Sequence, residues 1–239
     1  MFVSLVKAAR LIRKDLSIRC VILNGEGPSF CAGLDFACVS RHPSMIFRFF
    51  ARLPWSKDNM FQRVAHCWRD LPIPVIAVVH GNCFGGGLQI ALACDYRIAT
   101  PTAKLSIMEI KYGIIPDMSG LVTLSRLTRV DIAQELTMTG RIFSGAEGAD
   151  YGLISKLSDD PLAEAVALAM TICEKSPDAI AAAKYLYRKT WKKDTRSTLF
   201  WERITQLRLF GRKNQRTAMS NALRSDKAPE PFVDRTSFK

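Results

Sequence analysis

Three consecutive glycines, Gly85–Gly87, lie between two apolar runs, and this arrangement restricts the fold of the chain more than any other feature. The run before them, Val75–Val79, has the length and β-branched composition of a buried strand, and it is followed by His80-Gly81. The run after them, Leu88–Cys94, is typical of a buried helix. A helix that begins at these glycines has N–H groups without acceptors and carries partial positive charge at its start. We therefore expect this helix N-terminus to favour an anion.

The glycine triplet is not one of the common phosphate-binding loops. No Lys follows it, and its spacing is not that of the dinucleotide-binding loop. The alternative explanation is structural, because glycines allow a helix and a strand to pack closely together. Three consecutive glycines are more than close packing requires, but the sequence leaves both the anion site and the packing role open.

Strand-like and helix-like segments alternate along the first two thirds of the chain, which predicts an α/β fold with a largely parallel sheet. A helix pattern begins at Phe2, and the expected strands after it are Cys20–Leu23, Val75–Val79, Tyr96–Ala99 and Leu105–Ile107. Later segments are helical, with expected helices over Ala163–Lys175, Pro177–Trp191 and Leu199–Asn221. We predict a core domain over residues 1–160 and a helical region over residues 161–239.

The chain of 239 residues carries a net charge of +12. This excess fits a solvated basic surface, or attraction to a polyanion such as nucleic acid or coenzyme A, and charge alone does not separate these explanations. The seven cysteines include no C-x-x-C pair, and the sequence shows no basic-then-apolar signal-peptide pattern, so we expect a reducing, cytoplasmic compartment. Polar residues interrupt the most apolar stretch, residues 73–99, so we expect no membrane span. The three scattered histidines suggest no metal site.

Two carboxylates, Glu109 and Asp117, stand eight residues apart in an otherwise apolar stretch. A carboxyl group in apolar surroundings has a raised pKa and can exchange protons near neutrality. Other roles are open to both residues, since Glu109 could pair with Lys111, and Asp117, after Pro116, could cap a helix.

Four motifs make this sequence resemble the crotonase superfamily, the enoyl-CoA hydratase/isomerase family. They are F-C-A-G-x-D at Phe30–Asp35, P-V-I-A-x-V-H-G-x-x-x-G-G-G at Pro74–Gly87, E-x-x-x-G-x-x-P at Glu109–Pro116 and T-G-R-x-F-S-x-x-E at Thr139–Glu147. The resemblance is continuous from Phe2 to about Pro177 and looser beyond. It implies a crotonase-like ββα spiral core followed by C-terminal helices that mediate oligomerisation.

The resemblance also implies a substrate, an acyl-coenzyme A thioester, and no permanently bound cofactor. Two backbone N–H groups form the family's oxyanion hole, and they map to Leu34 and Gly86. The loop that binds the adenine of coenzyme A maps near Ala32. Negative charge that develops on a thioester oxygen is stabilised by such preorganised donors.

The acid–base groups depart from the family's hydratases, in which two glutamates hold the water. One of these positions is Gln89 here, which cannot ionise but can bind a water or the substrate, and the other is Glu109. Dienoyl-CoA isomerases of the family pair a Glu and an Asp at the spacing of Glu109 and Asp117. We therefore favour double-bond isomerisation slightly over hydration. The alternative is an acyl-CoA-binding protein of the same fold with lost or impaired catalysis.

The ends of the chain carry two further expectations. Family members begin with a β-hairpin, whereas this chain starts inside the helix that follows the hairpin. Without the hairpin we expect an exposed sheet edge and weaker coenzyme A binding. The family's C-terminal helices form trimers or hexamers, so we expect a homotrimer or hexamer. The aromatic anchors would be Trp191, Phe200, Trp201 and Phe210, unless these side chains pack within their own core. A nucleic-acid partner is not expected.

Overall fold

The computed structural model describes residues 1–33, 49–51, 56–224 and 228–237. Its larger sheet has the strand order β1-β2-β4-β7, formed by Val21–Asn24, Val75–Val79, Tyr96–Ala99 and Lys156–Leu157. The pairs β2–β4 and β4–β7 are parallel. All five residues of β2 are buried, as expected of a β-branched strand covered on both faces.

A second, three-stranded sheet has the order β3-β5-β6 and consists of Asn82–Phe84, Lys104–Ser106 and Phe143–Ser144. Strands β3 and β5 are parallel, whereas β5 and β6 are antiparallel. Only two residues separate β2 from β3, so the chain passes from the first sheet into the second just before the glycine triplet.

In the described residues one helix precedes the first strand, and the others lie between the strands and after them. In chain order they are α1 Phe2–Lys14, α2 Met60–Arg69, α3 Gly86–Ala93, α4 Gly120–Leu127, α5 Val130–Thr139, α6 Gly145–Asp150, α7 Pro161–Cys173, α8 Pro177–Thr190, α9 Thr195–Leu207 and α10 Lys213–Leu223, with a 3₁₀ helix at Glu109–Tyr112. None of these helices is long and apolar enough to cross a membrane, within the part of the chain that the structure describes. The α/β architecture with a largely parallel sheet is confirmed.

The last helix predicted from the sequence, Leu199–Asn221, was wrong, since this stretch contains two helices. Helix α9 ends at Leu207, and Gly211 adopts a φ of 76° before α10 begins at Lys213. Residues 208–211 form a turn, and the left-handed φ of Gly211, which glycine adopts without steric cost, prevents the two helices from continuing as one.

The chain forms two compact units, and both are discontinuous in sequence. The first contains residues 1–10, 22–70 and 75–166, and the second contains residues 11–21, 71–74 and 167–239. In the second unit the buried Asp178 accepts hydrogen bonds from the backbone N–H and the hydroxyl of Thr236, at 2.7 and 2.9 Å, and from the Asn214 amide at 3.0 Å. The division at residue 160 that we drew from the sequence remains a prediction.

The motif at Thr139–Glu147 holds the start of α6 in the first unit. The Ser144 hydroxyl accepts a hydrogen bond from the Glu147 N–H, and the Glu147 carboxylate accepts one from the Ser144 N–H, which is a capping box. Arg141 donates to the same carboxylate at 3.0 Å and to the Tyr151 hydroxyl at 3.0 Å. These contacts give the motif a structural role at the turn from β6 into α6.

Candidate functional site

The glycine triplet forms the turn from β3 into α3. Gly85 has a φ of 52°, in the left-handed region that favours glycine, and its N–H donates to the Ser106 carbonyl at 2.9 Å. Gly86 is the first residue of α3. Its N–H is therefore one of the initial helix donors, which have no acceptor within the helix, and it lies at the positive end of the helix dipole.

The segment ending at Gly33 runs alongside β3 and the triplet. Cys31 forms a parallel bridge with Cys83, and its backbone N–H and carbonyl bond to Asn82 and Phe84, both at 3.0 Å. A Cβ placed on Gly87 would lie only 2.5 Å from the Cys31 Cβ. Gly87 thus serves the close packing that was the alternative explanation of the triplet.

One of the residues expected to bind the coenzyme A thioester, Ala32 at the adenine, belongs to that same segment. The side chain of Ala32 is exposed, and Gly33 has a φ of 105°. Leu34, the expected second oxyanion donor, lies outside the described residues. The structure therefore brings the residues just before Leu34 beside the start of α3.

Glu109 opens the 3₁₀ helix, and its carboxylate lies against the first residue of the triplet. A Cβ on Gly85 would be 3.4 Å from Glu109 Oε1. The side chain is buried, and Oε2 has no hydrogen-bond partner among the described residues. Burial raises the pKa of this carboxyl, and the negative charge of Asp117 acts in the same direction, whereas a hydrogen bond from Gln89 opposes the rise.

Gln89 is a fully buried residue of α3 that contacts Glu109 directly. Its Nε2 donates to Glu109 Oε1 at 2.6 Å. Its Oε1 accepts from the backbone N–H groups of Met118 and Gly120, at 2.8 and 3.0 Å. Gln89 therefore joins the 3₁₀ helix to the turn that precedes α4.

Asp117 lies on that turn and is half-buried. Partial burial raises the pKa of its carboxyl above the ordinary value. The alternative role as a helix cap was wrong, because the residue before α4 is Ser119, with a φ of 68°. The alternative pairing of Glu109 with Lys111 was also wrong for the described residues, since Lys111 is exposed and the carboxylate of Glu109 accepts from Gln89 instead.

Sequence reasoning missed two residues of this site, Met118 and Gly120. Met118 is buried over the start of α3, where a Cβ on Gly86 would be 2.7 Å from its sulfur. No sequence signal pointed to Met118, whereas Gly120 was visible as a glycine three residues after Asp117.

These parts can perform one kind of chemistry together. A helix N-terminus offers N–H groups to an oxygen on which negative charge develops. Two carboxyl groups with raised pKa values can accept and return protons nearer to neutral pH than ordinary carboxyls do. The site can therefore stabilise an oxyanion and move protons on a bound molecule.

Comparison with known proteins agrees with this geometry. A family model described as enoyl-CoA hydratase/isomerase matches residues 1–233. A Bacillus subtilis (strain 168) protein named "Probable enoyl-CoA hydratase" is 35% identical over 176 residues, which is 70% of this chain and 64% of that protein. The mitochondrial Delta(3,5)-Delta(2,4)-dienoyl-CoA isomerase of Dictyostelium discoideum is 32% identical over 188 residues, 72% of this chain and 61% of the isomerase. The chain thus spans less than two thirds of the length of both relatives.

The fold also matches solved structures. The crystal structure of an enoyl-CoA hydratase from Polaromonas sp. JS666 superimposes with a TM-score of 0.85 and 26% sequence identity. The match covers 97% of this chain and 89% of that one. The expected crotonase-like core with C-terminal helices is confirmed.

Proposed function

This chain belongs to the enoyl-CoA hydratase/isomerase family, and we propose that it is an enzyme acting on the double bond of an unsaturated acyl-CoA. One observation carries the proposal. The buried carboxylate of Glu109, with Oε2 unpartnered among the described residues, lies against Gly85 at the start of α3. A base therefore stands beside the helix N-terminus that can hold a thioester oxygen.

The thioester oxygen binds, in this proposal, to the backbone N–H groups of Gly86 and Leu34. Removal of a proton from the carbon next to the thioester places negative charge on that oxygen. A preorganised donor at such a position contributes about 3 kcal/mol to lowering the barrier. Because the donors belong to the backbone, the side chain at residue 34 is not constrained by this role.

Glu109 and Asp117 are the proposed proton carriers, and isomerisation is the reaction we favour. With a 3-enoyl-CoA, Glu109 takes a proton from the carbon next to the thioester, and the electron pair moves into a dienolate. Asp117 in its protonated form then delivers a proton to the far carbon, which gives the 2-enoyl-CoA. Proton exchange between the two carboxyls restores the starting state. Partial burial raises the pKa of Asp117, which enlarges the protonated fraction that this role requires.

Hydration is the second candidate, and the unpartnered Oε2 of Glu109 supports it, since this oxygen could hold a water molecule. One of the two relatives described above is named as a hydratase and the other as an isomerase. Against hydration stands Gln89, an amide where the family's hydratases have a second glutamate. The same substitution motivates a third candidate, a protein that binds acyl-CoA without converting it.

Product analysis with three thioesters separates these candidates. Crotonyl-CoA, a 3-enoyl-CoA and a 3,5-dienoyl-CoA are each incubated with the protein and followed by ultraviolet absorbance and mass. We expect isomerised products of unchanged mass, and a loss of at least about a hundredfold in turnover for Glu109→Gln and for Asp117→Asn. Asp150→Asn, at an exposed carboxylate of α6, is the control that should retain activity.

Each candidate has its own outcome in this experiment. A product heavier by one water, together with a silent Asp117→Asn and an inactive Glu109→Gln, would refute isomerisation in favour of hydration. Tight binding of all three thioesters without conversion would refute both reactions and support the binding protein.

The remaining expectations accompany this proposal. The substrate is a coenzyme A thioester whose adenine lies near Ala32, no cofactor is permanently bound, and the protein acts in the cytoplasm. We propose a homotrimer or hexamer formed through the C-terminal helices. In the single chain Trp191, Phe200 and Phe210 are exposed, which supports an interface there, whereas Trp201 packs against Lys189 and Tyr185 of its own unit. Light scattering that gives a monomer would refute this assembly.

A further inference from the structure

We propose that Gln89 is a positioning residue, which holds the Glu109 carboxylate in one orientation so that Oε2 alone exchanges protons with the acyl chain. The inference rests on the proposed function for its catalytic consequence. The hydrogen bonds that define it belong to the folded protein whether or not a substrate is converted.

The first step is the orientation of the Gln89 amide. Two backbone N–H groups, from Met118 and Gly120, point at one atom of the amide, at 2.8 and 3.0 Å. An N–H group donates and does not accept, so that atom must be the amide oxygen. The NH₂ group then faces Glu109, where it donates to Oε1 at 2.6 Å. In the opposite orientation, the NH₂ group of Gln89 would face the N–H groups of Met118 and Gly120, and its amide oxygen would face the Glu109 carboxylate. Neither of these contacts would be a hydrogen bond while the carboxylate is ionised.

The second step is the consequence for Glu109. Its Oε1 is occupied by a donor that cannot rotate away without losing two backbone hydrogen bonds. Its Oε2 is buried without a partner among the described residues. An amide does not titrate at ordinary pH, so Gln89 itself neither takes up nor releases the proton. Protons must therefore enter and leave Glu109 through Oε2.

Gly120 is the part of this arrangement that allows the close approach. A Cβ at residue 120 would lie 2.8 Å from Gln89 Oε1 and 3.0 Å from the Cβ of Pro116. Any side chain there would push the amide oxygen away from the N–H group that holds it. Gly120→Ala therefore perturbs Gln89 from the side opposite to Glu109, and it offers an independent test.

The charges around Glu109 make the effect measurable. Helix α3, which presents Gln89, contains no ionisable residue. Asp117, on the turn before α4, is a titratable group whose ionised form raises the pKa of Glu109 in the described structure. The amide donor favours the ionised carboxylate, so its removal should raise the pKa of Glu109 further.

The experiment measures the Glu109 pKa and the turnover in the same proteins. Carboxyl carbons of glutamate are labelled with ¹³C and titrated by NMR, with Glu109→Gln used to assign the signal. Gln89→Met preserves volume and removes the hydrogen bonds, and Gln134→Met, at an exposed position of α5, is the control. For Gln89→Met and for Gly120→Ala we expect a higher Glu109 pKa and a loss of roughly a hundredfold in kcat, as for a misplaced catalytic group. We expect KM to change by less than about threefold, because the Gln89 amide is engaged by Glu109 and by two backbone N–H groups of the protein.

The outcomes distinguish this inference from the proposed function. An unchanged Glu109 pKa in a folded Gln89→Met protein would overturn the inference, and so would a raised pKa with an unchanged kcat. A raised pKa in a protein whose wild type converts no enoyl-CoA would support the orientation of the carboxylate and refute the proposed function. If Gln89→Met does not fold, Gly120→Ala provides the same readouts.

Discussion

Replacing Gly87 by alanine should separate the first turn of α3 from the strand segment that contains Cys31. The new Cβ would lie 2.5 Å from the Cys31 Cβ and 2.8 Å from its sulfur. Ordinary contact between carbon atoms begins near about 3.5 Å, so one of the two segments must move by roughly 1 Å. Because Leu34 follows the Cys31 segment and Gly86 precedes residue 87, this movement separates the two proposed oxyanion donors.

The expected cost follows from that displacement. A misplacement of about 1 Å at a catalytic group typically lowers the rate on the order of a hundredfold. Overpacking of a tight site destabilises a fold by about 1–3 kcal/mol. Gly87→Ala should therefore retain its fold and lose most of its activity.

The assay is kcat/KM for the best of the three thioesters, combined with the free energy of unfolding from urea titration. The second substitution Cys31→Gly removes both clashing atoms, and the next-nearest atom to the new Cβ is the residue 31 carbonyl oxygen, at 3.3 Å. Adding Cys31→Gly to Gly87→Ala should therefore restore much of the activity. Full activity in Gly87→Ala alone, or no recovery in a well-folded double variant, would refute the reasoning.

Three further predictions concern stability in the first unit. Burial raises the pKa of Glu109, so ionisation of this carboxyl destabilises the folded chain. Glu109→Gln should therefore stabilise the protein at pH values above the raised pKa, and it should have no such effect below the ordinary pKa of 4.5. Urea titration at acidic and at neutral pH would test this. Arg97→Met should lower the free energy of unfolding by about 1–3 kcal/mol, because the buried guanidinium donates to the carbonyls of Leu153 and Cys94, at 2.6 and 2.7 Å. An unchanged unfolding midpoint would contradict this. Ser144→Ala should cost about 1 kcal/mol through loss of the α6 cap, whereas Ser144→Thr should cost less, as thermal unfolding would show.

The regular elements could be predicted because their signals are local. The strand Val75–Val79 is a β-branched run of suitable length, and it was predicted with its observed bounds. The break near Gly211 was missed, since a single glycine in a helical pattern does not reveal whether it adopts a positive φ. That choice depends on the surrounding packing, which the sequence pattern does not contain.

The candidate site could be predicted in its parts but not in its connections. Glu109 and Asp117 were recognisable as two carboxylates in apolar surroundings. The role of Gln89 was not, because its bonds reach residues 20 to 31 positions away through the tertiary fold. Local patterns instead suggested Lys111 as a partner for Glu109, and the folded chain places that lysine in solvent.

The most direct test of the central claim uses a saturated thioester, which can enolise but can be neither isomerised nor hydrated. Butyryl-CoA is incubated with the protein in D₂O, and deuterium at the carbon next to the thioester is measured by mass spectrometry. The account predicts catalysed incorporation by the wild type, and a loss of at least about a hundredfold in Glu109→Gln. Incorporation by Glu109→Gln at the wild-type rate, or none by a wild type that converts enoyl-CoA, would contradict it.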